Sequence, residues 1–263
     1  LAETAIKLIE MVNSKQNSEK EKEVFGRFRL TVDCVVFGLD FAANDLKLVL
    51  IKRSEDPFKD CWSLPGGFIY GGEETIEAAR RTLEKKTGLT DVFLEQLYTF
   101  DHPERDSRAG KDLNEDVDRI VSVAYFALVS PAQHRLHHAG GGNAKDARWF
   151  AIDELPKLDC LSFDHAQIIE MAIRRLRGKL SYVPIGFELL ERKFTLKQLQ
   201  RVYEIVLGRK LESSNFRRRA LAMEILEPLD ERQESVSHRP ALLYRFNEKR
   251  YRQLVKKGFD FEL

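Results

Sequence analysis

Between Pro65 and Gly72 the chain carries one proline and four glycines, and directly after them it runs as a helical pattern from Glu73 to Lys86, closed by Gly88. Nothing else in the sequence restricts the fold as strongly. Glycine and proline at that density exclude a regular element and require a tight backbone bend. Gly88 then supplies a left-handed residue to stop the helix. The segments around this loop–helix unit read as strands. From Phe28 to Phe37 apolar residues alternate (Phe28, Leu30, Val32, Cys34, Val36), the period-two signature. Leu46 to Ile51 reads as a second strand, joined through a hairpin loop from Gly38 to Asp45. Val92–Phe100, Ile120–Val129 and Ala147–Ile152 follow as strands, and Asp164–Arg177 as a helix ending at Gly178. This irregular interleaving predicts an α/β (α+β) domain, a mixed sheet flanked by helices rather than a purely parallel one.

A second domain is expected from Thr195. Thr195-Leu196-Lys197-Gln198 has the capping-box pattern, Leu196, Leu199, Val202, Tyr203 and Val206 share one helical face, and Gly208 ends the helix. A further helix begins at Ser213 or Ser214 and carries Phe216, Ala220, Met223 and Leu226. Leu229 to Phe246 reads as a β-hairpin with a polar tip, Glu231 to Arg239. Helix, tight turn, helix and hairpin is the order of a winged helix-turn-helix. The expected division is residues 1–180, with a short helix in Leu1–Lys22, a linker over 181–194 broken by Pro184 and Gly186, and residues 195–263.

Charge divides along the same line. From Phe187 to Leu263 there are 17 Lys and Arg against 12 Asp and Glu, while the segment before holds 26 against 30. A polyanion contact therefore belongs to the basic C-terminal part. No apolar stretch is long enough for a membrane span and no secretory segment is visible, so a cytoplasmic setting is expected. Cys34, Cys61 and Cys160 lie far apart and suggest neither a disulfide framework nor a zinc site. His134, His137 and His138 precede Gly140-Gly141-Gly142 and read as a solvated loop.

The run from Gly66-Gly67-Phe68 through Gly72-Glu73 and Arg81 to Gly88-Leu89 resembles the Nudix box, G-x5-E-x7-R-E-U-x-E-E-x-G-U, and the preceding Trp62-Ser63-Leu64-Pro65 strengthens the likeness. Where that family carries glutamates, this chain has Thr82, Lys85 and Lys86. Magnesium needs carboxylate oxygens, so no metal and no catalytic residue are expected, and Glu73, Glu74, Glu77 and Glu84 read as a solvated helix face. A pocket that keeps its shape can bind without cutting. Ligand-binding candidates are Arg53, Gly66, Gly67, Phe68, Arg81, Lys85, Lys86, Arg105 and Arg108, with Lys85 and Lys86 standing in for the metal over a diphosphate.

In the second domain, Phe216, Ala220 and Met223 fall on one side of the helix, while Ser214, Arg217 and Arg218 face away and Arg219 lies near the core edge. Arginine suits guanine or phosphate. The DNA-binding candidates are Thr195, Lys197, Lys210, Ser213, Ser214, Asn215, Arg217, Arg218 and, in the wing, Arg239.

Together with Phe163-Asp164-His165, Phe194-Thr195-Leu196, Asn215-Phe216-Arg217-Arg218 and Arg239-Pro240-Ala241-Leu242-Leu243-Tyr244, these motifs make the chain similar to the Nudix-related transcriptional regulators of NAD metabolism (NrtR). That resemblance implies a dimeric repressor on a palindromic double-stranded operator, released by ADP-ribose as effector and needing no cofactor. An active ADP-ribose pyrophosphatase with an accessory domain and a sugar-responsive regulator are the alternatives.

Overall fold

The computed structural model describes residues 26–106, 119–137, 143–180, 190–234 and 239–256. The helix expected in Leu1–Lys22, Arg108, His138, Pro184 and Gly186 lie outside them.

The centre of the molecule is a parallel pair. β1 (Phe28–Asp40) and β6 (Arg119–Val129) run side by side from Phe28↔Arg119 to Gly38↔Val129. β2 (Asp45–Arg53) and β4 (Gly66–Phe68) pair with the two ends of β1, β3 (Trp62–Ser63) and β7 (Ala144–Ala151) pair with β2, and β5 (Glu95–Phe100) pairs with β6, all antiparallel. The result is a seven-stranded mixed sheet. Alternation predicts one buried face for β1, but both are buried. Val32, Cys34 and Val36 meet α1 (Thr75–Thr87), whereas Val35, Phe37 and Leu39 meet the layer that holds α2 (His165–Lys179). The loop expected from Gly38 is strand as far as Asp40, and a Cβ at Gly38 would lie 2.6 Å from Pro131 and Trp149.

The layer under α2 does not stop at the sheet. Ile168, Ala172 and Leu176 belong to one apolar cluster with Phe194, Leu199, Val202, Tyr203, Phe216, Ile225 and Tyr244 of the C-terminal part. There α3 (Leu196–Leu207) and α4 (Ser213–Ala222) precede the hairpin β8 (Leu226–Arg232) and β9 (Leu242–Phe246), followed by α5 (Glu248–Val255). Thr195 and Gln198 form the reciprocal cap of α3, and Gly208 closes it at φ 68°. Leu226, expected on the second helix, opens β8 instead, because Glu224 turns left-handed at φ 55° after α4 ends. Among the described residues no helix is long and apolar enough to cross a membrane.

One expectation is overturned outright. Cys61 and Cys160 are bonded, with Cα atoms 5.0 Å apart. They lie 99 residues apart in sequence, and only the folded sheet brings them together.

Candidate functional site

A cavity of about 400 Å³ opens between α1, β1, the end of β2 and the start of α2. The loop that forms its lip is fixed by the carboxylates at the head of α1. Glu77 accepts the Glu74 N–H at 3.0 Å as a capping box. Glu73 accepts Arg81 Nε at 2.5 Å and Nη2 at 2.8 Å, and also the Tyr70 N–H. Arg81 further donates to Phe68 O and stacks 4.0 Å over the Tyr70 ring. Glu73 is therefore a fastener and not part of a solvated face. The Arg81 hydrogen bonds and the Tyr70 amide bring its carboxyl down to about 2.

All the described ligand-binding candidates line this cavity: Arg53, Gly66, Gly67, Phe68, Arg81, Lys85, Lys86 and Arg105. Lys85 and Lys86, expected as one patch, separate. Lys85 is exposed at the rim, while Lys86 turns inward and donates to Gly66 O. Burial and the neighbouring Arg53 bring the Lys86 ammonium down to about 8, with Asp33 pulling the other way. Thr82 lies one turn before Lys86; its hydroxyl is buried and has no hydrogen-bond partner among the described residues. Gly67 keeps the space over that hydroxyl open, since a Cβ there would approach Thr82 Oγ1 to 3.2 Å. Gly66 is required for a different reason: its Cβ would lie 2.1 Å from Asp33 Oδ1.

A divalent cation does not fit this arrangement. Magnesium takes oxygen ligands, and Lys86 puts an ammonium where they are needed. An anionic oxygen fits, because it would accept from both the Thr82 hydroxyl and the Lys86 ammonium.

Behind the cavity lies a buried polar network that pattern reading did not find. Asp33 accepts Ser122 Oγ at 2.6 Å and Arg105 Nη2 at 3.3 Å, and faces His165 Nε2 at 3.4 Å. Arg105 also donates to both oxygens of Asp164, at 3.0 and 2.8 Å. The Leu64 N–H donates to His165 Nδ1 at 2.9 Å, so the imidazole proton sits on Nε2, toward Asp33. Burial pushes the Asp33 carboxyl up, but His165, Arg105 and Ser122 together outweigh it and hold the group well below the usual range. Arg105 is thus a brace of the cavity wall. Arg53 has the same character: it donates to Pro57 O at 2.8 Å and lies 5.1 Å over the Phe163 ring. Signals for this network were present in the sequence, namely a carboxylate inside an otherwise apolar strand and the Phe163-Asp164-His165 turn.

In the C-terminal part, Ser213, Ser214, Asn215, Arg217 and Arg218 are exposed along the start of α4, and Phe216 and Ala220 are buried beneath them. Arg219, expected near the core edge, is exposed as well. The helix is capped by Glu212, whose side chain accepts the Ser214 and Asn215 N–H groups at 2.9 and 2.6 Å. Lys197, Lys210, Ser213 and Arg217 border a shallow groove between α3 and α4. Thr195 is buried and its hydroxyl is engaged by Gln198 in the cap. Arg239 is exposed in the hairpin connection. His134 and His137 do not form a cluster: the first contacts Ser130 O through Nδ1, the second packs on Gly88.

Hydrogen bonds also join the halves. Arg177, near the end of α2, donates to Val206 O at 3.1 Å, and Arg201 of α3 donates to Asn44 Oδ1 at 2.9 Å and to Phe41 O. His165 at the other end of α2 lines the cavity, so one helix touches both the pocket and α3.

Family models match in the same order: a NUDIX domain over residues 27–172 and an NrtR DNA-binding winged helix domain over residues 186–246. The chain is 35% identical over 221 residues to the ADPR responsive transcriptional repressor NtrR of Acinetobacter baylyi, covering 82% of this chain and 81% of that protein. It is similar to the crystal structure of Shewanella oneidensis NrtR complexed with a 27mer DNA, with TM-score 0.67, 32% identity and coverage of 88% and 97% of the two chains. The NUDIX domain of that protein complexed with ADP ribose matches with TM-score 0.50 and 33% identity over 59% of this chain and 92% of that one. With a Nudix domain and an NrtR winged helix in sequence, and likeness along most of its length, the chain belongs to the NrtR family of Nudix-related transcriptional regulators.

Proposed function

We propose that this protein is a transcriptional repressor that binds a palindromic DNA operator as a homodimer and leaves it when ADP-ribose enters the Nudix cavity. The observation that carries the reading is α2, which starts in the cavity wall at His165 and ends against α3 at Arg177. An occupant of the cavity therefore acts on the same rigid element that packs against α3, the helix on which the DNA-facing α4 rests. The relatives support the choice of ligand, since the Acinetobacter baylyi repressor is named for its response to ADPR and the Shewanella oneidensis domain holds ADP ribose. On this reading residues 1–180 sense, residues 195–263 read DNA, 181–194 connect them, and the setting is the cytoplasm. The regulated genes are those of NAD synthesis and salvage. Lys86 and Thr82 hold the diphosphate without metal, and the effector is not hydrolysed.

The test is a gel shift on the operator upstream of the protein's own gene neighbourhood, titrated with ADP-ribose, NAD and pentoses in EDTA. ADP-ribose is expected to release the protein while NAD and pentoses do not. Release by a pentose alone would identify a sugar-responsive regulator instead. Magnesium-dependent breakdown of ADP-ribose by the purified chain would overturn the non-enzymatic reading.

A further inference from the structure

The bond between Cys61 and Cys160 holds the rear of the cavity. Cys61 precedes Trp62 of β3, and Cys160 opens the segment that delivers Phe163 and His165 to the wall. The two segments are already hydrogen bonded, Trp62 N–H to Cys160 O at 3.1 Å and Ser162 N–H to Trp62 O at 2.9 Å. Both cysteines are half-buried and not sealed in the core. Cys34 differs: it is fully buried under α1, with its thiol pushed up by burial.

The backbone on either side of the bond is held in an unusual shape. Phe58, Asp60 and Phe163 adopt φ of 64°, 67° and 53°. Non-glycine residues take that region only where the surroundings impose it. Phe58 and Phe163 pack edge to face with centroids 4.8 Å apart, and Arg53 on the cavity wall lies over Phe163. The crosslink ties together the two chain segments that carry these left-handed residues, one of which, Phe163, lines the cavity.

We propose that Cys61 and Cys160 form a reversible redox site whose oxidation fixes the rear wall of the effector cavity. The regulatory part rests on the repressor reading above: a DNA-binding regulator works where thiols are kept reduced, and disulfides there are transient and sensing. The oxidant is a low-molecular-weight disulfide such as glutathione disulfide. One cysteine thiolate attacks it and expels the first glutathione; the second cysteine thiolate displaces the other. Two electrons pass to the glutathione disulfide, and the two cysteine protons end on the two released thiols. A dithiol reverses the exchange.

The full chain is prepared reduced with dithiothreitol and oxidised with glutathione disulfide, and the bond is scored by mass. Hydrogen exchange without ligand is the first measurement. Amides of Trp62 and Ser162 are expected to exchange roughly tenfold faster in the reduced protein. Calorimetry with ADP-ribose in EDTA is the second, with affinity expected to be roughly tenfold tighter for the oxidised form. Cys61→Ser and Cys160→Ser should behave as the reduced protein under both conditions. A pair that stays thiol under glutathione disulfide, or equal exchange in the two states, overturns the proposal. If ADP-ribose binds neither form while exchange still differs, the effector reading fails and the redox site stands. Equal affinity with unequal exchange removes the coupling to the effector.

Discussion

An ammonium buried near Arg53 and Lys85 is unfavourable, and here it occupies a position where the Nudix box carries a carboxylate. Its lowered value, about 8 against an ordinary 10.5, fixes the sign of two pH effects. Between those values the folded protein holds fewer protons than the unfolded chain, so this residue makes stability rise with pH in that window. Anion binding goes the other way, because it needs the charged form. Metal-free affinity for ADP-ribose is expected to be level below pH 8 and to fall by up to about tenfold per unit above it, as calorimetry from pH 7 to 9.5 would register. Lys86→Met should flatten that profile and weaken binding, while Lys85→Met, on the exposed rim, should change affinity by no more than about twofold. An unchanged profile in Lys86→Met would remove the residue from the site. Sequence could not separate the two lysines, which are adjacent on one helix; the contact of Lys86 with Gly66 O, which depends on how β4 sits against β1, is what separates them. Arg105 shows the opposite case. Read as a phosphate contact, it is only 4% exposed and paired to Asp33 and Asp164. Removing one member of a buried ion pair strands the others, at about 3–5 kcal/mol. Arg105→Met should lower urea stability by that amount before any effect on ligand is measured.

Helices were the most legible elements because most of their ends are written locally, although Gly178, expected to end α2, lies inside it and the helix runs to Lys179. Gly88 and Gly208 close α1 and α3 in the left-handed conformation their sequence positions predict, and Thr195 with Gln198 caps α3. Elements set by contacts distant in sequence were not legible. β3, just before the glycine-rich bend, and β4, inside it, are short strands that exist only by pairing with β2 and β1. The second burial face of β1 and the Cys61–Cys160 bond depend in the same way on chain far from them. α4 combines both kinds. Its buried Phe216 and exposed Arg217 and Arg218 follow from helical period, yet its cap is Glu212 rather than a serine. The Glu212 carboxylate at the start of the helix proposed to face DNA accepts the Ser214 and Asn215 N–H groups, and the exposed arginines are the groups proposed to meet the anion. Arg217→Ala and Arg218→Ala are therefore expected to weaken operator binding by about 1–3 kcal/mol each. If the contact is to phosphate, the loss is uniform across operator sequences and the salt slope falls by about one; if to a base, it is confined to one operator position. No change in either variant would move the DNA surface elsewhere.

At the scale of the whole molecule, the apolar cluster under α2 continues into the C-terminal helices, so the halves do not meet through a solvent-filled hinge. Packed interiors of this kind move between discrete arrangements rather than bending continuously. An effector that changes operator affinity must then bind the two arrangements unequally, by about 1–3 kcal/mol for a typical coupling. Polar contacts between the halves include Arg177 to Val206 O and Arg201 to Asn44 Oδ1 and Phe41 O; Arg201 and Asn44 border the α3–α4 groove, whereas Arg177 lines neither that groove nor the cavity and can be removed without touching them. Arg177→Ala is expected to keep effector affinity in the free protein and operator affinity without effector, while reducing the release that ADP-ribose causes. Linkage supplies the check. Whatever factor ADP-ribose takes from operator affinity, saturating operator must take from ADP-ribose affinity. Calorimetry with and without operator duplex should return that same factor for the unaltered protein, and a smaller one, equal in both directions, for Arg177→Ala. If the variant lowers affinity for one ligand alone and leaves the coupling factor intact, α2 supports a site but does not carry the signal.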